Sequence, residues 1–416
     1  MSKFIVRPNG PLKGKVNISG AKNAALAILP AALMAPGRAT LENVPDIEDT
    51  QVMVEILKSL GVDINRTGDT LHLDIPDKPE TTVPYPLAKT IRASNLLLGA
   101  LLARCGRAAV PMPGGCDIGA RPIDLHLKGF QAMGAEVTLS QGAVVVEAKQ
   151  LYGAKVYLDF PSVGATENIM MAACFAEGKT TIENAAKEPE IVDLANFLNA
   201  LGAKVRGAGT DIIRITGMGP LKPVNYSVIP DRIEAGTFMV AAAITCGEIQ
   251  LTNVISTHLQ PLIAKLKEVG VNITDNNGLL TVRGSKYLMP ADIKTLPYPG
   301  FPTDLQSPMM ALLTMAEGTS IIVENIFENR LGLASELKRL GASIKIEGHT
   351  AIIQGVSHLT GAKVRALDLR AGAALVLSGL VASGETEVCH AKVIERGYQR
   401  LDEKLRSLGA DVELVK

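Results

Sequence analysis

The sequence carries no excess charge of either sign: 42 Lys and Arg balance 42 Asp and Glu. Such a chain has no general electrostatic pull toward nucleic acid or membrane surfaces, so neither partner is expected. Any anion site must be a local concentration of Lys and Arg. Cysteine is scarce, with five residues scattered at 105, 116, 174, 246 and 389. No CxxC or Cys/His pair has metal-ligand spacing, so neither a disulfide framework nor a bound metal is expected. Long apolar runs are also missing. None reaches membrane-spanning length, and Met1-Ser2-Lys3-Phe4-Ile5-Val6-Arg7-Pro8 lacks the apolar core of a signal peptide, which points to the cytoplasm. With 416 residues, 47% of them hydrophobic, the chain exceeds one ordinary core, and two domains are expected.

What the chain does have is internal repetition, with a period of about 70 residues. Helix-like runs end at Gly61, Gly134, Gly202, Gly270, Gly341 and Gly409, spaced by 73, 68, 68, 71 and 68. A β-like segment follows each, as in Ser343-Ile344-Lys345-Ile346. Glycine there suits the residue just past a helix, where a left-handed backbone is needed. In phase with it, an Ala- and Leu-rich helix ends at a turn holding Gly37, Gly106, Gly178, Gly247, Gly318 or Gly384. This period suits a compact βαβαββ unit in an α/β fold, repeated six times, three units to a domain. The last unit stops at Lys416 without its final strand. The segments Phe4-Ile5-Val6 and Lys15-Val16-Asn17-Ile18 are expected to complete it. One domain is then residues 21–229, and the other is discontinuous, 1–20 plus 230–416.

Counting back 14 or 15 residues from each turn glycine reaches the start of the Ala/Leu-rich helix. The positions are Lys22, Arg92, Gly164, Arg232, Asp304 and Arg370. Five of the six are charged, although the helices are otherwise apolar. Helix N-termini present free N–H groups and the positive end of the dipole, which attract anions. Threefold gathering of such starts in each domain predicts a cleft between domains ringed by Lys22, Arg92, Arg232 and Arg370, with Asp304 as the one carboxylate. Exposed charge at a helix start explains an acid such as Asp304, but it explains four cations poorly.

A further segment, Pro113-Gly114-Gly115-Cys116-Asp117-Ile118-Gly119-Ala120-Arg121-Pro122, is too rich in glycine and proline for regular structure. It leaves the Cys116 thiol free to meet a ligand, with Asp117 and Arg121 pulling its reactivity in opposite directions. The other four cysteines read as small core hydrophobes. His126 reads equally well as a satisfied structural histidine or as a ligand contact. Met170-Met171 and Met309-Met310 read as core filling.

Together these residues resemble the enolpyruvyl transferases of bacterial cell-wall synthesis. The resemblance rests on Gly20-Ala21-Lys22-Asn23, the Cys116 loop with Ile123-Asp124-Leu125-His126, Glu188-Pro189-Glu190, Phe301-Pro302-Thr303-Asp304, Glu328-Asn329-Arg330, Asp368-Leu369-Arg370 and Glu395-Arg396-Gly397-Tyr398. The nearest branch is that of the UDP-N-acetylglucosamine 1-carboxyvinyltransferases, and the likeness spans essentially the whole chain. It implies a two-domain inside-out α/β barrel and needs no cofactor. It also implies transfer of the enolpyruvyl group of phosphoenolpyruvate to the 3′-hydroxyl of UDP-N-acetylglucosamine, the first committed step of peptidoglycan synthesis.

By resemblance, Lys22, Arg121 and Arg396 hold the phosphate of phosphoenolpyruvate, and Arg330 and Arg370 its carboxylate, with Asn23 nearby. Cys116 is the general acid and the point of attack of the epoxide inhibitor fosfomycin, and Asp304 is the base. The nucleotide sugar falls to Arg92, to Arg121, Pro122, Ile123, Asp124 and Leu125, to Ser162, Val163 and Gly164, and to Asp304 and Ile326. Asn23, Glu188, Glu190 and Asp231 are supporting residues. Phe160 stands where some relatives carry a basic residue, which leaves the diphosphate to Arg92 and Arg121. The Cys116 loop is long enough to close as a lid. A sister branch acts on shikimate 3-phosphate, and the cysteine loop resembles the UDP-sugar branch instead. A non-catalytic UDP-sugar-binding relative would be free to lose Cys116, Asp304 or Arg396, and this chain has all three.

Overall fold

The computed structural model describes residues 2–112 and 123–416 of an α/β chain. The described residues divide into two compact units: those up to 19 with those from 230 onward, and those between 20 and 229. Residues 155–216 show the building block in one stretch. Strand Lys155–Tyr157 leads to helix Val163–Ala173, strand Lys179–Glu183 and helix Pro189–Ala200, then to the hairpin strands Lys204–Arg206 and Ile212–Thr216. All four strands share one sheet. Lys179–Glu183 runs parallel to the first strand and antiparallel to Ile212–Thr216, a βαβαββ unit. Residues 293–354 repeat the pattern with the same strand order and pairing senses.

In other sheets the edge comes from elsewhere in the chain. Asn225–Ser227 pairs parallel to Gly37–Glu42, so the end of the 20–229 unit completes the sheet at its beginning. Lys3–Arg7 lies antiparallel between Thr386–Cys389 and Asp411–Val415 and completes the last repeat. The second N-terminal strand corrects the sequence reading. Lys13–Asn17 runs parallel to Glu248–Thr252 in a different sheet. The reason is supply, because residues 225–227, which precede helix Arg232–Ile244, serve the other unit's sheet.

Two kinds of helix follow from two hydrophobic patterns. The first helix of each repeat is largely apolar and buried on nearly every side. In Arg232–Ile244 every residue but Arg232 is buried, and in Gln306–Leu313 every residue is. A helix hydrophobic on all sides must be enclosed by protein. Accordingly Arg232–Ile244, Gln306–Leu313 and Leu369–Gly379 pack on one another in one unit, and Leu97–Cys105 packs against Lys22–Ala32 and Val163–Ala173 in the other. Met170, Met171, Met309 and Met310 are fully buried there. The second helices are amphipathic, with acids such as Glu48 and Asp49 in the first turn and Lys58 in the last. Strands alternate, as in Ile212–Thr216 with Ile213 and Ile215 inward, so one sheet face covers the helices.

The six glycines that end the second helices all have positive φ, from 90° at Gly134 to 108° at Gly202. Among the turn glycines Gly247 differs. There Cys246 takes the left-handed conformation, at φ 52°, while a Cβ on Gly247 would lie 2.3 Å from the Leu12 carbonyl oxygen. Gly247 is needed for close approach of the N-terminal chain, not for its φ.

Candidate active site

In the 20–229 unit, helix Lys22–Ala32 begins at Lys22 and the 3-10 turn Arg92–Leu96 at Arg92. Lys22 is buried, and its Nζ lies 2.7 Å from Asp49 Oδ2, itself buried on the neighbouring helix Glu48–Ser59. A buried ammonium requires such a partner. Sequence reasoning missed Asp49 because it lies outside every quoted motif. Asn23 is exposed, Arg92 half-buried and Phe160 exposed. Ile123 is buried at the N-cap of helix Asp124–Ala132, where Asp124 is exposed and Leu125 half-buried. Cys116, Arg121 and Pro122, and the lid reading with them, lie outside the described residues.

Ser162, Val163 and Gly164 form the half-buried start of helix Val163–Ala173. Ser162 Oγ accepts from Ala165 N at 3.3 Å, which leaves the amides of Val163 and Gly164 without an intrahelical acceptor. Against them sits His126, which is buried. A Cβ on Gly164 would come 3.0 Å from its Cε1. Asn168 Oδ1 accepts from Gly99 N at 2.8 Å, while its Nδ2 donates to Asn95 O at 2.9 Å and to His126 Nδ1 at 2.7 Å. The Gly99 contact fixes which way the Asn168 amide points, so Nδ1 must accept and the neutral imidazole carries its proton on Nε2. Burial, then the Arg92 charge, lowers the His126 pKa to about 4. Glu190 is buried in the first turn of helix Pro189–Ala200, and Glu188 is its half-buried N-cap residue. Burial, then Glu190 and Glu188, raises the carboxyl pKa of the fully buried Glu167 well above its ordinary value.

The other unit holds Asp304, Ile326, Arg330, Arg370 and Arg396. Arg330 and Arg370 are almost fully buried and converge on Asp304, which lies in the 3-10 turn Thr303–Leu305. Arg330 Nη2 donates to Asp304 Oδ1 at 2.7 Å. Arg370 donates to Oδ2 from Nη2 at 2.9 Å and from Nε at 3.2 Å. Burial works against a charged Arg370, but the Asp304 carboxylate, with Tyr398 and Asp231, more than offsets it, and the pKa of the guanidinium is raised. The Arg370 guanidinium lies 5.2 Å from the centre of the buried Tyr398 ring. Glu324, a residue sequence reasoning did not single out, anchors the surrounding loops. It accepts from Thr303 Oγ1 at 2.9 Å and from the backbone of Ile326 at 2.8 Å and Phe327 at 3.2 Å. Ile326 is half-buried, as is Arg396 at the end of the short helix Lys392–Glu395.

Two readings are corrected here. Free amides were expected at the starts of the helices bearing Arg232 and Arg370. Instead Asp231 Oδ1 accepts from Ile233 N and Glu234 N, and Asp368 Oδ1 from Arg370 N and Ala371 N. The capping carboxylates occupy those donors, so any anion there must be bound by side chains. The second concerns cysteine: Cys174 is buried and Cys105 and Cys389 intermediate, but Cys246 is exposed and not a core residue. Among the described residues no group of His, Cys, Asp and Glu is placed to hold a metal, and no helix is long and apolar enough to cross a membrane.

Residues 6–405 match the EPSP synthase (3-phosphoshikimate 1-carboxyvinyltransferase) family. The chain is 57% identical over 411 residues, 99% of each chain, to UDP-N-acetylglucosamine 1-carboxyvinyltransferase 1 of Caldanaerobacter subterraneus subsp. tengcongensis. It is 54% identical, over the whole of both chains, to UDP-N-acetylglucosamine 1-carboxyvinyltransferase of Halothermothrix orenii. Among solved structures, the enolpyruvyl transferase NikO of Streptomyces tendae superposes with a TM-score of 0.90 at 27% identity, covering 100% of this chain and 99% of that one. EPSP synthase of Acinetobacter baumannii shares the fold, with a TM-score of 0.79 at 22% identity and full coverage of both chains.

Proposed function

This chain belongs to the EPSP synthase family of enolpyruvyl transferases, and from that membership we infer how its residues divide one reaction. The enzyme transfers the enolpyruvyl group of phosphoenolpyruvate to UDP-N-acetylglucosamine and releases phosphate, as the names of its full-length relatives at more than half identity support. The observation that carries the site assignment is the convergence of Arg330 and Arg370 on a single carboxylate. Paired guanidiniums are the side chains best matched to a carboxylate, and charge-assisted bonds of this kind are about twice as strong as neutral ones. They are assigned to the carboxylate of phosphoenolpyruvate, with Asn23 beside the substrate and Lys22, Arg121 and Arg396 on its phosphate.

The chemistry is addition followed by elimination. The sugar 3′-hydroxyl loses its proton to Asp304 as its oxygen bonds to C2, while the Cys116 thiol protonates C3. A proton then leaves C3, the C2–O bond to phosphate breaks, and the enol ether forms as phosphate departs. Arg92, Arg121, Pro122, Ile123, Asp124, Leu125 and Ile326 are assigned to the nucleotide sugar, with the amides of Val163 and Gly164 beside Ser162 suited to its diphosphate. We extend the repeat description in the same way: the three buried helices of each unit, ringed by one-faced sheets, fit an inside-out α/β barrel. Cell-wall synthesis in the cytoplasm is the process such a product serves.

Inorganic phosphate release from phosphoenolpyruvate, with UDP-N-acetylglucosamine or shikimate 3-phosphate as acceptor, tests this reading in wild type and Cys116→Ala. Release only with the nucleotide sugar, lost in the variant, is expected. Release with shikimate 3-phosphate would move the chain to the sister activity, and release from neither would favour a binding protein.

A further inference from the structure

The two guanidiniums assigned to the substrate carboxylate already hold a carboxylate, and it belongs to the residue assigned as base. We propose that Asp304 is a built-in placeholder: the carboxylate of phosphoenolpyruvate displaces it from Arg330 and Arg370, and the displacement frees it to take the proton of the sugar hydroxyl. This rests on the assignment of Arg330 and Arg370 made above.

The geometry decides which group yields. Both guanidiniums are 2% exposed, whereas the Asp304 side chain is 27% exposed. Arg370 is stacked on Tyr398, and Arg330 has its guanidinium carbon 5.7 Å from the centre of the Phe327 ring. The turn carrying Asp304 is itself pinned, because Thr303 Oγ1 is bonded to the buried Glu324. The Asp304 side chain, the most exposed member of the group, is the one placed to yield, by rotating about its own bonds. Arg330 Nε and Arg370 Nη1 are buried without a hydrogen-bond partner among the described residues, so they are not where an incoming carboxylate lands. It must take the donors that Asp304 now uses. Exchange of one carboxylate for another leaves those N–H groups satisfied throughout, and it couples arrival of one substrate to release of the base for the other.

An internal competitor weakens apparent affinity by the fraction of molecules whose site is free. If the guanidiniums are free in about one molecule in ten, its removal tightens binding about tenfold. The experiment measures dissociation constants for phosphoenolpyruvate and for inorganic phosphate by calorimetry. Every protein carries Cys116→Ala, so that no thiol adduct forms, and Asp304→Ala, Asp304→Asn and Arg370→Ala are compared on that background. Asp304→Ala is expected to bind phosphoenolpyruvate about tenfold more tightly, with phosphate affinity unchanged and Asp304→Asn in between. Equal or weaker binding of phosphoenolpyruvate by Asp304→Ala would overturn the proposal. So would equal tightening for phosphate, which reports loss of negative charge alone. Arg370→Ala distinguishes the two levels of failure. If it weakens phosphoenolpyruvate while Asp304→Ala does not tighten it, the placeholder fails and the carboxylate site stands. If it leaves phosphoenolpyruvate untouched, both fall. Thermal unfolding of each variant shows that it is folded, and Asp304→Asn, which keeps the shape of the side chain, decides the outcome where the alanine variant does not fold.

Discussion

Lowering the pH should destabilise this protein through His126, by an amount the structure sets. Its Nδ1 accepts from Asn168 Nδ2 at 2.7 Å, and Asn168 is held in that orientation by Gly99 N and Asn95 O. Protonation would place an N–H against an N–H donor, in a buried site, near the positive Arg92. Burial and then Arg92 therefore lower the folded pKa to about 4 from the ordinary 6.5. Between those values the unfolded chain binds the proton and the folded one does not. Stability thus rises with pH across that window, is fully present above 6.5, and is lost as pH falls through about 4. The gap corresponds to roughly 3 kcal/mol.

The assay is urea unfolding followed by far-UV circular dichroism at intervals from pH 7.5 to 4.5, for wild type and His126→Gln. The variant is expected to lose about 1–3 kcal/mol at pH 7.5, because an Asn168 N–H goes unpaired. Its stability should then fall less steeply toward pH 4.5 than that of wild type, with the curves closing by roughly 3 kcal/mol. Other groups, such as Asp193, whose carboxyl pKa is raised to about 6 chiefly by burial, titrate in the same range but are common to both proteins. Parallel curves would refute the argument, since they would mean that His126 is protonated alike in both states.

Three further outcomes are expected. Cys116→Asp keeps a proton donor of different acidity, so it should retain part of the phosphate-release activity while losing alkylation by fosfomycin; mass spectrometry finding the adduct on another cysteine would overturn the thiol assignment. Arg396→Ala should weaken phosphoenolpyruvate by about 1.5–3 kcal/mol, the range for a hydrogen bond to a charged group, and an unchanged Michaelis constant would remove Arg396 from the site. Gly355→Ala should destabilise by about 3 kcal/mol or more, because its Cβ would lie 1.6 Å from the Ala316 carbonyl oxygen. Gly341→Ala, with φ +92° but nothing within 4 Å, should lose only about 1–2 kcal/mol, and equal thermal shifts for the two would show that space is not the deciding factor.

What the sequence displays directly is whatever the period carries. The glycines past the second helices and the starts of the first helices recur at near-constant spacing, and the structure has helices beginning at Lys22 and Arg232 and positive φ at Gly61 and Gly409. Such counting shows that an N-terminal strand completes the last repeat, as Lys3–Arg7 does, but not which sheet the second one joins. Lys13–Asn17 and Lys3–Arg7 are both only five residues long, and which sheet each joins depends on where an edge is vacant. That in turn depends on Asn225–Ser227 having gone to Gly37–Glu42.

The site divides along the same line. Asp304, Arg330 and Arg370 were each legible as charged residues in positions of consequence, but their mutual contact spans 26 and 66 residues and no local pattern announces it. Reading them one at a time assigns two to a ligand and one to catalysis. Their geometry joins the assignments, because a carboxylate-binding site buried this deeply needs a carboxylate in it at all times. Lys22 obeys the same rule with Asp49, and the buried Glu234 carboxylate is held by the half-buried Lys404 and also accepts from Ser19 N at 2.8 Å. The difference lies in exposure: Asp49 and Glu234 are 5% and 3% exposed, whereas Asp304 at 27% is the most exposed of the three partners, which is what the proposed displacement by substrate requires.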